Sequence, residues 1–244
     1  MPSLRRVMRH PRLLALLLPI AAVAQDSKPK PREFSADLGF VSASGNSDVT
    51  TFNLGQQLVL RANKWEHKQQ FGSIYGIQDG KESTNLTFAN WRSDFALNPW
   101  LALFGYTGYD RNTFAGISRR FEEAFGVSAK LKATDADQWG VEVGLGLNQQ
   151  RSVDNTQTRF ASVRSATTYK HFFTKSAYFS QGVEFLPSLK VSEDYRVNSE
   201  SGIVASISSH LSMKVGYVVR FDNLPEPTKR KSDRIVTTGL QVNW

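Results

Sequence analysis

The chain has no cysteine in its 244 residues. Disulfide staples and thiolate metal sites are therefore excluded. After residue 24 no apolar run approaches the roughly 20 residues a spanning helix needs, which excludes a bundle of membrane helices. The basic residues form no stripe that would argue for nucleic acid. The formal charge is +8, but four of those positive charges are Arg5, Arg6, Arg9 and Arg12, in a stretch without acids. Subtracting these four leaves +4, spread along residues 25–244. Mean hydropathy is −0.36, a value typical of a water-soluble chain. Strand alternation can hide a lipid-facing surface from such an average, so the value does not exclude a membrane β-barrel.

What is present begins with an export signal. The four arginines are followed by an apolar run over residues 13–24 and by Ala22-Val23-Ala24, a small-x-small cleavage site. This is the layout of a cleaved secretory signal peptide over residues 1–24. Residues 25–32 are polar and proline-containing, and read as a solvated periplasmic tail. The remainder, 33–244, reads as one domain.

That domain alternates. Trp139, Val141, Val143, Leu145 and Leu147 oppose Gly140, Glu142, Gly144, Gly146 and Asn148. Leu211, Met213, Val215, Tyr217, Val219 and Phe221 oppose Ser212, Lys214, Gly216, Val218, Arg220 and Asp222. Phe121, Phe125, Val127 and Leu131 oppose Glu122, Gly126, Ser128, Lys130 and Lys132. Soluble strands run to about five or six residues, whereas membrane strands need about nine to eleven. These segments are of the longer kind, and their polar face carries glycine as well as charge. Residues 86–97 and 100–111 mix apolar residues on both faces, which predicts a bulge or a lumen-facing aromatic.

The C-terminus supports the same reading. Val236, Leu240, Val242 and Trp244 share one face, with Thr237, Gly239, Gln241 and Asn243 on the other. Thr237, Gly239, Val242 and Trp244 fit the terminal aromatic signal by which bacterial outer-membrane barrels are recognised for insertion. The expected fold is all-β: a transmembrane antiparallel up-and-down β-barrel of about 12 strands, with ten as the alternative. The strands are expected at 33–43, 49–62, 65–78, 83–97, 100–111, 120–133, 138–150, 159–172, 177–190, 196–207, 211–222 and 232–244. Tight connections at 63–64, 98–99, 134–137, 173–176 and 208–210 alternate with generally longer ones at 44–48, 79–82, 112–119, 151–158, 191–195 and 223–231. Short inner turns and longer outer loops are what a barrel with both termini in the periplasm requires.

By parity Asp37, Arg61, Glu66, Lys68, Glu122, Lys130, Glu142, Arg164, Glu184, Lys214 and Arg220 point into the lumen. Unpaired charges inside a narrow barrel are costly, so pairing between strands is expected. A mixed lumen can be a salt-bridged plug or a weakly selective narrow pore.

The chain resembles the YdiY-like proteins, described as salt-induced outer-membrane proteins. The resemblance rests on Leu38-Gly39-Phe40, Ser44-Gly45-Asn46-Ser47 and Thr51-Phe52-Asn53-Leu54 near the start. It continues in Tyr217-Val-Val-Arg-Phe-Asp-Asn223, Pro225, Asp233 and Thr238-Gly239-Leu240 at the end. It covers nearly all of the domain and implies an outer-membrane barrel without supplying an activity.

Few motifs suggest chemistry. His210-Leu211-Ser212 has the His-x-Ser spacing of outer-membrane phospholipases, but it falls beside a tight inner turn, at the wrong end. His67 and His171 also flank tight turns. Ser192-Glu193-Asp194 and Asp135-Ala136-Asp137 lack the further oxygen ligands of a calcium loop. Lys229-Arg230-Lys231, in the longest outer loop, reads as solvated, with lipopolysaccharide phosphate as the alternative contact. The expectation is a non-enzymatic outer-membrane barrel of structural or narrow-pore type. No catalytic, metal or cofactor-binding residues are assigned and no cofactor is expected. Its expected partners are outer-membrane lipid, lipopolysaccharide and the barrel-assembly machinery, with no nucleic acid. A lipid-modifying outer-membrane enzyme and a soluble periplasmic ligand-binding β-protein are the alternatives.

Overall fold

A computed structural model describes residues 30–43, 49–113, 115–226 and 229–244. The signal peptide expected at 1–24, residues 25–29 of the tail and the Ser44-Gly45-Asn46-Ser47 motif lie outside the described residues. Twelve strands follow one another in chain order. They are β1 (Arg32–Ala43), β2 (Val49–Ala62), β3 (Trp65–Gln78), β4 (Lys81–Ala96), β5 (Leu101–Asn112) and β6 (Ile117–Ala133). The series continues with β7 (Asp137–Ser152), β8 (Gln157–Thr174), β9 (Ala177–Pro187), β10 (Tyr195–Ser206), β11 (Leu211–Asp222) and β12 (Ser232–Asn243). Each pairs antiparallel with the next, and β12 returns to β1, closing the barrel. Closure leaves no sheet edge, the condition for placing strands in lipid.

The seam is finished by the last residue. Phe34 and Trp244 exchange backbone hydrogen bonds of 3.1 and 2.9 Å. Their rings lie 5.7 Å apart.

Alternation decides which face is inside. Phe125 is 68% exposed and Leu147 60%, whereas Asn148 is 1% exposed and Arg164 4%. Apolar side chains outside and polar ones inside is the reverse of a soluble β-protein and the arrangement of a transmembrane barrel.

Two local features differ from the sequence reading. The connection expected as a longer loop at 79–82 is a two-residue turn, with β3 ending at Gln78 and β4 starting at Lys81. Asp79 and Gly80 have φ of 50° and 73°. Asp-Gly accepts this left-handed pair readily, so the hairpin runs right up to it. Second, Lys132 does not share the inward face of Lys130. The register shifts between them, so that Lys130 opposes Gly140 while Lys132 opposes Trp139. A bulge adds one residue and turns the following side chain to the other face. Lys132 thus reaches Asp137 at 2.6 Å, and this carboxylate also accepts from Tyr169 and His171. Asp137 and His171 are polar residues securing the rim of a tight turn.

Candidate functional site: the barrel lumen

The lumen centres on Arg164 of β8. Its Nη1 donates to Glu122 of β6 at 3.0 Å, its Nε to Glu142 of β7 at 3.0 Å, and its Nη2 to Glu184 of β9. The guanidinium carbon lies 4.3 Å from the centre of the Tyr106 ring. Only a planar fork of several N–H groups can serve three carboxylates and stack on a ring at once. Glu184 also accepts from Asn198 at 3.1 Å.

A second guanidinium extends the network. Arg92 of β4 grips Asp94 through two bonds of 2.7 and 2.8 Å and donates to Glu142. It lies 4.4 Å over the Phe104 ring. Phe104 has space because Gly126 and Gly144 are cross-strand partners on the same inner face. A β-carbon on either would come within 2.9 Å of the Phe104 ring and closer still to backbone atoms of the neighbouring strand. Close backbone approach explains these two glycines. Inward Phe88, Phe104 and Tyr106 also explain why residues 86–97 and 100–111 looked mixed: the lumen itself takes aromatics there. Four carboxylates, those of Asp94, Glu122, Glu142 and Glu184, thus share two guanidiniums.

Several of these bonds join strands that are not neighbours in the sheet. Arg92 ties β4 to β7. Arg196 of β10 donates to Asn148 of β7 at 2.7 Å. Asn112 of β5 donates to Asp233 of β12 at 3.2 Å, across the mouth opposite the tight turns. At the same mouth Glu226, from the β11–β12 connection, accepts from Gln150 at 3.1 Å and from Ser152 on β7. Arg120 is buried there, donating to Gln150 at 2.8 Å, with Asp110 3.9 Å away. Burial, and then the nearby Asp222 carboxylate, raise the pKa of Asp194, in the connection before β10. A cavity of about 560 Å3 remains at this mouth, lined by Leu86, Asn112, Asp233 and Ile235 among others.

The residues assigned inward from sequence fall into three groups. Glu122, Glu142, Arg164 and Glu184 meet in the central network. Asp37 meets Lys214 across β12 at 3.4 Å, and Arg61 holds Glu33 and Glu66, each at 2.7 Å. Lys68, Lys130 and Arg220 form no ion pair among the described residues, although the field of Arg220 reaches Glu184. Sequence reasoning missed Arg92, Asp94, Arg120 and Arg196. Arg120 and Arg196 were legible, standing on the same parity as Glu122 and Asn198. Arg92 and Asp94 were obscured by the aromatics on their strand's inner face.

Of the residues expected to form the terminal signal, Thr237 and Gly239 stand on the lumen parity and Val242 and Trp244 on the outer one. Gly239 lies against the Leu38 backbone, where a β-carbon would overlap the carbonyl. The His-x-Ser pair is split. Ser212 is buried in the lumen between Ser206 and Asn243, whereas the His210 ring meets Ser209.

Closed barrel topology, an apolar wall and a charged, bridged interior define the class as an outer-membrane-type β-barrel. The family model described as "Protein of unknown function, DUF481" matches residues 36–244, and the chain belongs to that family. It is 24% identical over 220 residues to "Uncharacterized protein YdiY" of Escherichia coli (strain K12), covering 88% of this chain and 84% of that protein. Among solved structures it is similar to the NanC porin, with 8% identity, a TM-score of 0.49, and coverage of 86% of this chain and 97% of that one. It is also similar to the translocator domain of the autotransporter NalP from Neisseria meningitidis, with 11% identity, a TM-score of 0.46 and 90% coverage of each. Likenesses this faint add nothing to the barrel read from the strand pairing itself.

Proposed function

We propose that this protein resides in the outer membrane as a barrel whose lumen is cross-braced, so that its role is structural or that of a narrow, weakly conducting pore. The observation that carries the reading is the arginine network. Arg164 and Arg92 bind carboxylates from several strands and fill the interior with fixed, mutually satisfied charges. A wide aqueous pore needs an open path, whereas guanidinium–carboxylate forks held by aromatic rings obstruct one. Export through a cleaved signal peptide, insertion by the barrel-assembly machinery and contact with lipopolysaccharide belong to the same proposal. So does an envelope role under salt stress, which the family resemblance suggests.

The test has two parts. Membrane fractionation with heat-modifiable gel migration should find a folded barrel in the outer membrane. A soluble periplasmic species without heat-modifiability would refute residence there. Growth of a deletion strain in raised sodium chloride should be impaired and restored by the wild-type gene; unimpaired growth would remove the salt-stress element.

A further inference from the structure

The outer wall carries an arginine on each of β5, β6, β7 and β8, near the mouth opposite the tight turns. Arg111, Arg119 and Arg159 are exposed and Arg151 is half-buried, on the same alternation that turns Phe121, Phe125, Leu145 and Leu147 outward. Arg119 and Arg151 are direct cross-strand partners. Residues so placed hold their β-carbons about 4.5–5.5 Å apart. Arg159 is diagonal to Arg151, since Arg151 pairs with Gln157 and Gln149 with Arg159. Arg111 adjoins Arg119 at the irregularity where Asp110 pairs with Arg120 and Asn112 with Ile117. Among the described residues none of these arginines has an ion pair or a side-chain hydrogen bond, and Nε of Arg151 is buried without an acceptor. The next outward acid along β6 is Glu123, four residues from Arg119. That is about 13 Å at the rise of a strand. Asp154, in the β7–β8 connection, accepts from the Thr156 amide instead. One rung nearer the membrane centre Tyr109 pairs with Phe121, their rings 5.2 Å apart. At the same end of β9, β10 and β11 the outward residues are Phe185, Tyr195 and Phe221, an unbroken aromatic ladder.

We propose that Arg111, Arg119, Arg151 and Arg159 bind the phosphates of lipid A, the glycolipid anchor of lipopolysaccharide in the outer leaflet. Like charges directly opposite in a sheet are destabilising, so the row calls for a counter-charge that the protein does not supply. Aromatic girdles mark the interface of a membrane barrel, and the row lies just outside Tyr109 and Phe121, at the depth of headgroup phosphates. A guanidinium fork matches a phosphate bidentately, and every member of the row is arginine. Three strand spacings of about 4.8 Å give the row a span of about 14 Å, enough for phosphates at both ends of a disaccharide. The site is on the wall of the barrel, apart from the Lys229-Arg230-Lys231 loop. It rests on the outer-membrane residence proposed above and is independent of whether the barrel conducts.

The experiment uses the folded full-length barrel in zwitterionic micelles. Native mass spectrometry follows titration with bis-phosphorylated lipid A, with the same lipid lacking one phosphate, and with phosphatidylglycerol as an anionic lipid of other shape. Saturable binding is expected, strongest for the bis-phosphorylated form. Arg119→Gln with Arg151→Gln should weaken it by about tenfold or more, tenfold being a loss of roughly 1.4 kcal/mol. Lys229→Gln with Arg230→Gln and Lys231→Gln should leave it unchanged. On the wild type, lipid A should protect Arg119 and Arg151 from phenylglyoxal, which decides the matter even where a variant fails to fold. The proposal is overturned if lipid A does not bind saturably, if phosphatidylglycerol binds as well, or if the loop variant loses binding while the wall variant keeps it. It is equally overturned if bound lipid A leaves both arginines reactive. Fractionation tests residence separately: a folded barrel that fails to bind lipid A removes this site and leaves residence standing.

Discussion

Replacing Arg164 by methionine strikes the centre of the account. Its guanidinium is 5% exposed and serves Glu122 and Glu142, whose side chains are 10% and 12% exposed. Methionine fills part of the volume but leaves three carboxylates without their shared cation, and Glu142 keeps only Arg92. Removing one partner of a buried pair costs about 3–5 kcal/mol, because the remaining charge is stranded. The three bonds share one side chain and are not additive, so a loss in that same range of about 3–5 kcal/mol is expected. Arg164→Lys should recover only part of it, since a point charge cannot reach three acceptors. Neutralising the stranded groups should recover more: Arg164→Met with Glu122→Gln and Glu184→Gln should approach the wild type, as replacing a whole buried ionic cluster is often nearly neutral. The assay is denaturant unfolding of the barrel refolded in micelles, followed by tryptophan fluorescence and gel mobility. A single Arg164→Met variant within about 0.5 kcal/mol of the wild type would refute the reasoning, because that is the range of an ordinary surface change.

Four further outcomes follow. Gly144→Ala should lose about 1–3 kcal/mol in the same unfolding assay, the scale of an overpacked core, because its β-carbon meets Phe104 and the Phe125 carbonyl. Val143→Arg should lose about 2–4 kcal/mol by presenting a charge to lipid, and tolerance there would show that the faces are misassigned. Trp244→Ser should lower the membrane-inserted fraction and increase degradation, measured by fractionation and immunoblot, since Trp244 closes the seam with Phe34 and is the last residue of the expected terminal signal. Lys214→Ser with Arg220→Ser should shift any measurable current toward cations by reversal potential, because Asp37 loses its partner and Glu184 a nearby positive charge.

The fold was legible because a barrel writes its two faces into period-two alternation, and a closed barrel has no long-range topology to guess beyond chain order. The ends of β2, β3 and β11 can be read directly where Asn63-Lys64, Asp79 and Asn223 interrupt the pattern. Lys132 was misplaced because a bulge leaves no mark in composition. The inward direction of Glu122, Glu142, Arg164 and Glu184 could be read, but not that one arginine gathers all three acids. That grouping depends on shear and on which side chains reach across the interior, and parity contains neither. Parity alone would make Glu142→Gln mild; its bonds to both Arg92 and Arg164 make it a central loss instead. Phe104 illustrates the same limit, since an aromatic facing inward looks like a flaw in the pattern until its two glycine neighbours and its guanidinium partner are seen together.

The most direct test of the braced lumen is a planar-bilayer recording from the purified wild-type barrel. Fixed guanidinium–carboxylate forks predict a small, weakly ion-selective conductance or none. A large, stable, porin-like current would contradict the account.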